Sequence, residues 1–126
     1  MTFSPTIIQA AQQDREIELT TFGRKTGKPS RRIIWIATDG QRLFVRSGQG
    51  LGRDWPQNVL ANGRAMLHIA GQDIPVRVEH VTDQSLTREL TEIVSRKYGT
   101  TVQRPEGGGP TPAEEATFEL VSDEGE

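Results

Sequence analysis

Turn signals punctuate this chain at short intervals between residues 23 and 72, and they leave little room for crossover helices. Gly23-Arg24-Lys25-Thr26-Gly27-Lys28-Pro29, Asp39-Gly40, Gly48 to Gly52, Asn62-Gly63 and Gly71-Gln72 each break the chain after a short run. Glycine supplies left-handed backbone in such places, proline fixes φ, and Asp-Gly is a strong hairpin signal. A parallel sheet needs a dozen or more residues of crossover between most strands, and those stretches are missing. The chain is therefore expected to pair its strands antiparallel.

The runs between the turns support this. Glu16–Phe22 alternates polar and apolar residues with period 2, the pattern of a strand with one buried face. A second strand is expected over Arg31–Thr38, and its apolar run Ile33–Ala37 implies burial on both faces. A third is expected over Arg42–Ser47, then a hairpin of Ala65–Ala70 and Asp73–Val81 around Gly71-Gln72. Ala116–Val121 reads as a final strand.

Helical patterns are fewer. Residues 5–13 suit one or two turns beginning at Pro5. Asp54 is expected to cap a short helix that carries Trp55 and Pro56 in its first turn and stops at Asn62-Gly63. Asp83 opens an amphipathic helix with Leu86, Leu90, Ile93 and Val94 at helical spacing, basic residues Arg96 and Lys97 at its end, and Gly99 as its stop. Residues 100–116, with Gly107-Gly108-Gly109-Pro110, read as a mobile loop, and residues 122–126 as a frayed acidic tail.

The 126 residues suffice for one domain with a real core, so residues 1–126 read as a single unit. With Cys 0 there is no disulfide framework, thiolate metal site or catalytic thiol. Fifteen Lys and Arg against 17 Asp and Glu give a formal charge of -2, which argues against a dedicated nucleic-acid binder. No apolar stretch approaches the roughly 20 residues of a membrane span, and the start of the chain lacks a basic stretch followed by an apolar one. A cytoplasmic protein without membrane or nucleic-acid partners is the simplest expectation.

The positive charge is instead local. The turn from Gly23 to Arg32 brings together Arg24, Lys25, Lys28, Arg31 and Arg32 with the hydroxyls of Thr26 and Ser30. Converging donors and neutralising charge are what a phosphate or carboxylate requires. A solvated basic hairpin turn accounts for the same residues equally well, and the spacing is not that of a Walker loop. A second candidate is the end of the third strand, Arg46-Ser47-Gly48-Gln49-Gly50, followed by Arg53 and Trp55. Trp55 either lies against a planar ring or plugs the barrel end, and Tyr98 either lines a substrate mouth or packs the long helix onto the sheet. His68 and His80 have no telling partners in the sequence, and no metal motif, Ser-His-Asp order or carboxylate pair stands out. If the protein is an enzyme, the reactive chemistry belongs to a bound cofactor.

Thr20-Thr21-Phe22-Gly23-Arg24-Lys25-Thr26-Gly27-Lys28-Pro29, the set Trp55, Asn58, Leu60 and Ala61-Asn62, and the stretch Gly71 to Val76 occur in that order. Together they resemble the motifs of the deazaflavin-dependent nitroreductase family. Lys97-Tyr98-Gly99 and the last strand look closer to an uncharacterised sister family of the same clan. The resemblance runs from about Glu18 to Val121. It implies a mainly β, α+β fold, a six-stranded antiparallel split β-barrel of the FMN-binding, pyridoxamine-phosphate-oxidase-like kind with two to three helices outside. It further implies a groove for coenzyme F420, or FMN, with the phosphate end on Arg24, Lys25 and Thr26 and more weakly on Arg31 and Arg32. Ser47, Gly48 and Gln49 would approach the ring and linker, with Trp55 beside them and Tyr98 at the substrate pocket. The implied reaction is hydride transfer between the ring and an unknown small organic substrate. Split barrels of this clan commonly pair, so a homodimer is expected. Two other readings remain open: a non-catalytic binder of a hydrophobic ligand such as a fatty acid or haem, and an orphan barrel that has lost its cofactor.

Overall fold

The period-2 pattern of the first strand becomes β1, Ile17–Phe22, whose Ile17, Leu19 and Thr21 are buried while the residues between them are half-exposed. The computed structural model describes residues 3–14, 16–48, 50–99 and 111–122. Along the chain it contains α1 (Pro5–Gln13), β1, β2 (Pro29–Ile34), β3 (Ile36–Thr38), β4 (Leu43–Arg46), α2 (Asp54–Asn62), β5 (Arg64–Ile69), β6 (Gln72–His80), α3 (Gln84–Tyr98), α4 (Pro112–Glu115) and β7 (Thr117–Ser122).

All seven strands join one sheet in the order β2-β1-β5-β6-β7-β4-β3, and every neighbouring pair runs antiparallel. The two edge strands, β2 and β3, are successive in the chain with only Trp35 between them. A sheet whose opposite edges are one residue apart must curl until those edges converge. The result is a barrel drawn together at Trp35.

The barrel interior is filled by Leu19, Ile36, Leu43, Val45, Leu67, Val76, Phe118 and Leu120, each essentially sealed from solvent. Burying a side chain of this size contributes about 1.5–3 kcal/mol. Ile7 and Ala11 of α1 join the same core. A second, smaller cluster lies outside the barrel, where Phe44, Val81 and Leu90 meet and Leu86 and Ile93 of α3 cover them. The helix caps act as their residue types dictate. Asp83 accepts from the N–H groups of Ser85 and Leu86, and Gly99 ends α3 in the left-handed conformation with φ 66.

Several expectations need correction. The single strand over Arg31–Thr38 is two strands, which makes seven rather than six. Its apolar run is not buried on both faces, since Ile33 is 64% and Trp35 40% exposed. The reason is position: β2 is an edge strand, paired with β1 alone. Asp54 is the first helical residue of α2, and Arg53 takes the cap position without a side-chain hydrogen bond. The β5–β6 turn is built on Ala70-Gly71, with φ 52 and 71, because Ile69 pairs with Gln72. The expected loop over residues 100–116 falls partly outside the described residues, at 100–110. Its last part forms a fourth helix, α4, with a Thr111–Glu114 capping box. The final strand runs on to Ser122, and residues 123–126 of the expected acidic tail lie outside the described residues.

Candidate functional site

Where the sheet edges converge, the chain forms a cavity of about 790 Å3 that opens to solvent. Its walls come from Glu16 before β1, Arg32–Ile34 of β2, Trp35, Ile36 and Ala37 of β3, Phe44–Arg46 of β4 and Leu90, Thr91 and Val94 of α3. Ser47, Gly48, Arg53, Asp54 and Trp55 close one side, and Thr111, Pro112 and Ala113 at the start of α4 close another. Ligand sites typically fall between about 300 and 1,000 Å3 and set a few polar groups in an apolar lining. This cavity has that composition. Gly50 shows how tightly the loop and α4 are fitted: its φ is +88 and a Cβ there would stand 3.3 Å from Pro112 Cβ.

Arg46 is a lining cation held by two side-chain hydrogen bonds. Its Nη1 donates to Thr91 Oγ1 at 2.9 Å and its Nη2 to the Thr87 carbonyl at 3.0 Å. Both acceptors are neutral. No carboxylate lies within ion-pair distance of Arg46, Arg32 or Arg53 among the described residues. Burial pushes the Arg46 guanidinium below its ordinary range, and the Glu114 carboxylate nearby partly offsets the shift. Glu114 itself is held by Arg88, Nε to Oε2 at 2.8 Å and Nη2 to Oε1 at 3.1 Å. Burial works to raise its pKa, but the bonds from Arg88, Thr91 and the Thr111 N–H outweigh burial and hold the carboxyl at about 2. The cavity wall therefore carries a partly desolvated cation whose nearest acid is already neutralised.

Of the residues picked out in the sequence, Arg32, Ser47, Gly48 and Trp55 line the cavity. Trp55 also packs on Phe118, ring centroids 5.7 Å apart, so it belongs to the barrel core as well as to the lining. Arg24, Lys25, Thr26 and Arg31 lie outside the lining. Arg24 gives its backbone N–H and Nη1 to Asn58 Oδ1, at 3.3 and 2.9 Å, and its Nη2 stands 3.8 Å from Asp54. Thr26 Oγ1 accepts from Lys28 N–H within the turn, and Arg31 pairs with Glu18 across β1 and β2. Asn62 Nδ2 donates to the Phe22 carbonyl at 2.6 Å. Asn58 and Asn62, both prominent in the sequence motif, thus tie α2 to the basic turn. Gln49 lies outside the described residues.

Tyr98 is buried beneath Trp35, with ring centroids 4.0 Å apart and planes 4° from parallel. Its hydroxyl accepts from Ile36 N–H and donates to the Ile36 carbonyl, while Lys97 Nζ donates to the same carbonyl and to that of Ala11. These contacts satisfy backbone groups of the β3 edge, which otherwise invites another strand. Tyr98 holds the wall of the cavity without lining it. His68 sits on the outer sheet face between Thr20 and Asp73, at 2.7 and 2.6 Å, and takes no part in the cavity. Among the described residues no cluster of three His, Asp or Glu forms a metal site, and no helix is long and apolar enough to cross a membrane.

What sequence reasoning missed is Glu114. The glycine- and proline-rich stretch before it hides a Thr111-Pro112-Ala113-Glu114 capping box, which was the available signal.

The model of the family described as "Uncharacterized protein conserved in bacteria (DUF2255)" matches residues 7–120, and the chain belongs to that family. Solved structures share the fold at low identity. The haem storage protein HutZ from Vibrio cholerae aligns with a TM-score of 0.70 and 16% identity, over 99% of this chain and 93% of its own. A putative pyridoxamine 5'-phosphate oxidase from Listeria innocua gives 0.69 and 18%, over 94% and 91%. A protein described as an F420 reductase gives 0.59 and 15%, over 95% and 94%. The fold is thus the antiparallel split barrel of the pyridoxamine-phosphate-oxidase-like kind.

Proposed function

We propose that this member of the family binds a phosphorylated flavin-type cofactor, coenzyme F420 or FMN, in the cavity and transfers hydride between its ring and a small organic substrate. One observation carries the reading: Arg46 is a half-buried cavity cation with hydrogen bonds only to neutral oxygens. Such a group gains most from an anionic ligand, because a charge-assisted bond in a partly desolvated site is stronger than one in water. Of the five N–H donors of an arginine, those not given to Thr91 and Thr87 remain for a phosphate, with Arg32, Arg53 and Ser47 in the same lining. Ile34, Ile36, Ala37 and Val94 offer the apolar surface on which a planar ring is buried. Trp55 and Gly48 would flank it. When bound, the cofactor supplies the hydride chemistry, and the chain's own residues bind it, orient it and exclude water.

The basic turn borders this site through the Arg24–Asp54 contact, since Asp54 is a lining residue. Lys25, Thr26 and Arg31 would meet only a part of a ligand that leaves the cavity. A haem reading, which the Vibrio cholerae neighbour suggests, finds no His, Met or Tyr among the described residues of the lining to ligate the iron. The exposed β2 edge with Ile33 is the surface across which two copies would pair.

The test is titration with F420 and, separately, FMN, followed by ligand fluorescence. Micromolar or tighter binding of one of them, lost in Arg46→Ala, supports the reading. A folded protein that binds neither overturns it.

A further inference from the structure

Helix α4 is only four residues long, yet its Glu114 is among the most deeply buried side chains of the protein. Besides Arg88, the carboxylate accepts from Thr111 N–H at 3.0 Å and from Thr91 Oγ1 at 2.6 Å. The Thr91 hydroxyl has one proton to give. Two acceptors stand near it: Glu114 Oε2, and the Thr87 carbonyl at 3.1 Å. The shorter bond and the charged acceptor favour Glu114. With its proton so committed, the hydroxyl turns lone pairs toward Arg46 Nη1, which donates to it at 2.9 Å.

We infer that Glu114, gripped by Arg88 and acting through the Thr91 hydroxyl, is a positioning residue for Arg46, orienting that guanidinium toward an anion in the cavity without touching the anion itself. The inference rests on the reading of the cavity as a phosphate site. An unrestrained arginine has many rotamers, and fixing one on binding lowers affinity. Here the fixing is done beforehand by two acceptors, and the acceptor at Thr91 exists because a carboxylate takes the hydroxyl proton. Arg88 plays a separate part. It neutralises Glu114, so that Arg46, Arg88 and Glu114 together carry one net positive charge.

Positioning and simple electrostatics make opposite forecasts for Glu114→Gln. Removing a negative charge beside an anion site raises the local positive potential and should tighten binding. Losing the carboxylate frees the Thr91 hydroxyl to turn and should loosen it. The experiment is fluorescence titration, with whichever of FMN and F420 the wild type binds, of Glu114→Gln, Thr91→Val, Thr91→Ser, Arg46→Ala and the Glu114→Gln/Arg46→Ala pair. Thermal unfolding of each variant accompanies it. Glu114→Gln and Thr91→Val should each weaken binding about five- to tenfold, the scale of one ordinary intramolecular hydrogen bond. Thr91→Ser, which keeps the hydroxyl, should bind like wild type, and Glu114→Gln should add nothing in the Arg46→Ala background.

Unchanged or tighter binding in Glu114→Gln, with binding lost in Arg46→Ala, overturns the positioning role and leaves the cavity reading standing. So does equal weakening by Glu114→Gln with and without Arg46. Wild-type affinity in Arg46→Ala overturns the cavity reading itself, as does a wild type that binds neither cofactor. If Glu114→Gln does not fold, the Thr91→Val and Thr91→Ser pair decides: equal affinities in those two variants overturn the role.

Discussion

Arginine appears in two settings in this barrel, and they behave differently. In the β1–β2 turn and the strand after it, Arg24 and Arg31 are exposed or half-exposed and occupied with the fold: Arg24 with Asn58 and Asp54, Arg31 with Glu18. At the end of β4, Arg46 is half-buried and bonded to neutral oxygens, and the carboxylate near it belongs to Arg88. The turn has more charge per residue, but water and counter-charges absorb it. Arg46 has less charge around it and far less screening. On the proposed reading, density of charge along a chain is a poor guide to an anion site. Desolvation together with the absence of a counter-ion is a better one.

The largest effect that would sharpen this contrast is on stability. Glu114→Ala removes the acceptor of the buried Thr111 N–H and of the Thr91 hydroxyl and should destabilise the fold by about 1–3 kcal/mol, the cost of leaving a buried donor unsatisfied. Glu18→Ala, in the exposed pair, should stay below about 1 kcal/mol. Urea unfolding of both variants makes the comparison, and equal losses would erase it.

Next comes affinity. Arg46→Ala should cost about 1.5–3 kcal/mol of cofactor binding, the range for hydrogen bonds to charged groups. Measured by the same titration, Lys25→Ala should change affinity by less than about 0.5 kcal/mol, as expected for a surface site away from special contacts. A larger loss at Lys25 than at Arg46 would move the anion site back to the turn.

The pH dependence gives a finer test. Glu114 titrates at about 2 in the folded chain against an ordinary value of 4.5. A folded value below the unfolded one means stabilisation that is complete above the unfolded value and is lost as pH falls toward the folded one. Unfolding free energy should therefore decline between about pH 5 and pH 2, and Glu114→Gln should flatten that decline. An acid limb unchanged in the variant would assign it to other carboxylates. The smallest effect is expected at Arg24→Ala, which loosens the contact of the turn with α2 by about 1 kcal/mol or less. Thermal unfolding measures it.

Much of the fold is legible residue by residue. Ile17, Leu19 and Thr21 alternate toward the core as their spacing implies, and so do Ile74, Val76 and Val78 of β6. Asp83 and Gly99 bound α3 where cap and stop signals place them. The Asp39-Gly40 turn joins β3 to β4, with Asp39 Oδ1 accepting from Gln41 and Arg42 N–H. The candidate site is less so. Arg32, Ser47, Gly48 and Trp55 fall in the lining, but Arg46 and Glu114 are brought together by hydrogen bonds to Thr91, which lies 45 and 23 residues away from them in the chain.

What the amino-acid order determines by itself is local: period, caps and left-handed turns act over a few residues and need no distant partner. It settled an antiparallel chain of short strands with one long amphipathic helix. The tertiary structure decided the rest. It broke the apolar run at Trp35, because the two edges of a curled sheet meet there. It buried Glu114 among groups from α3, and it left Arg46 without an ion-pair partner among the described residues. Desolvation and charge pairing depend on which distant groups arrive at one place, and only packing of the whole barrel sets that.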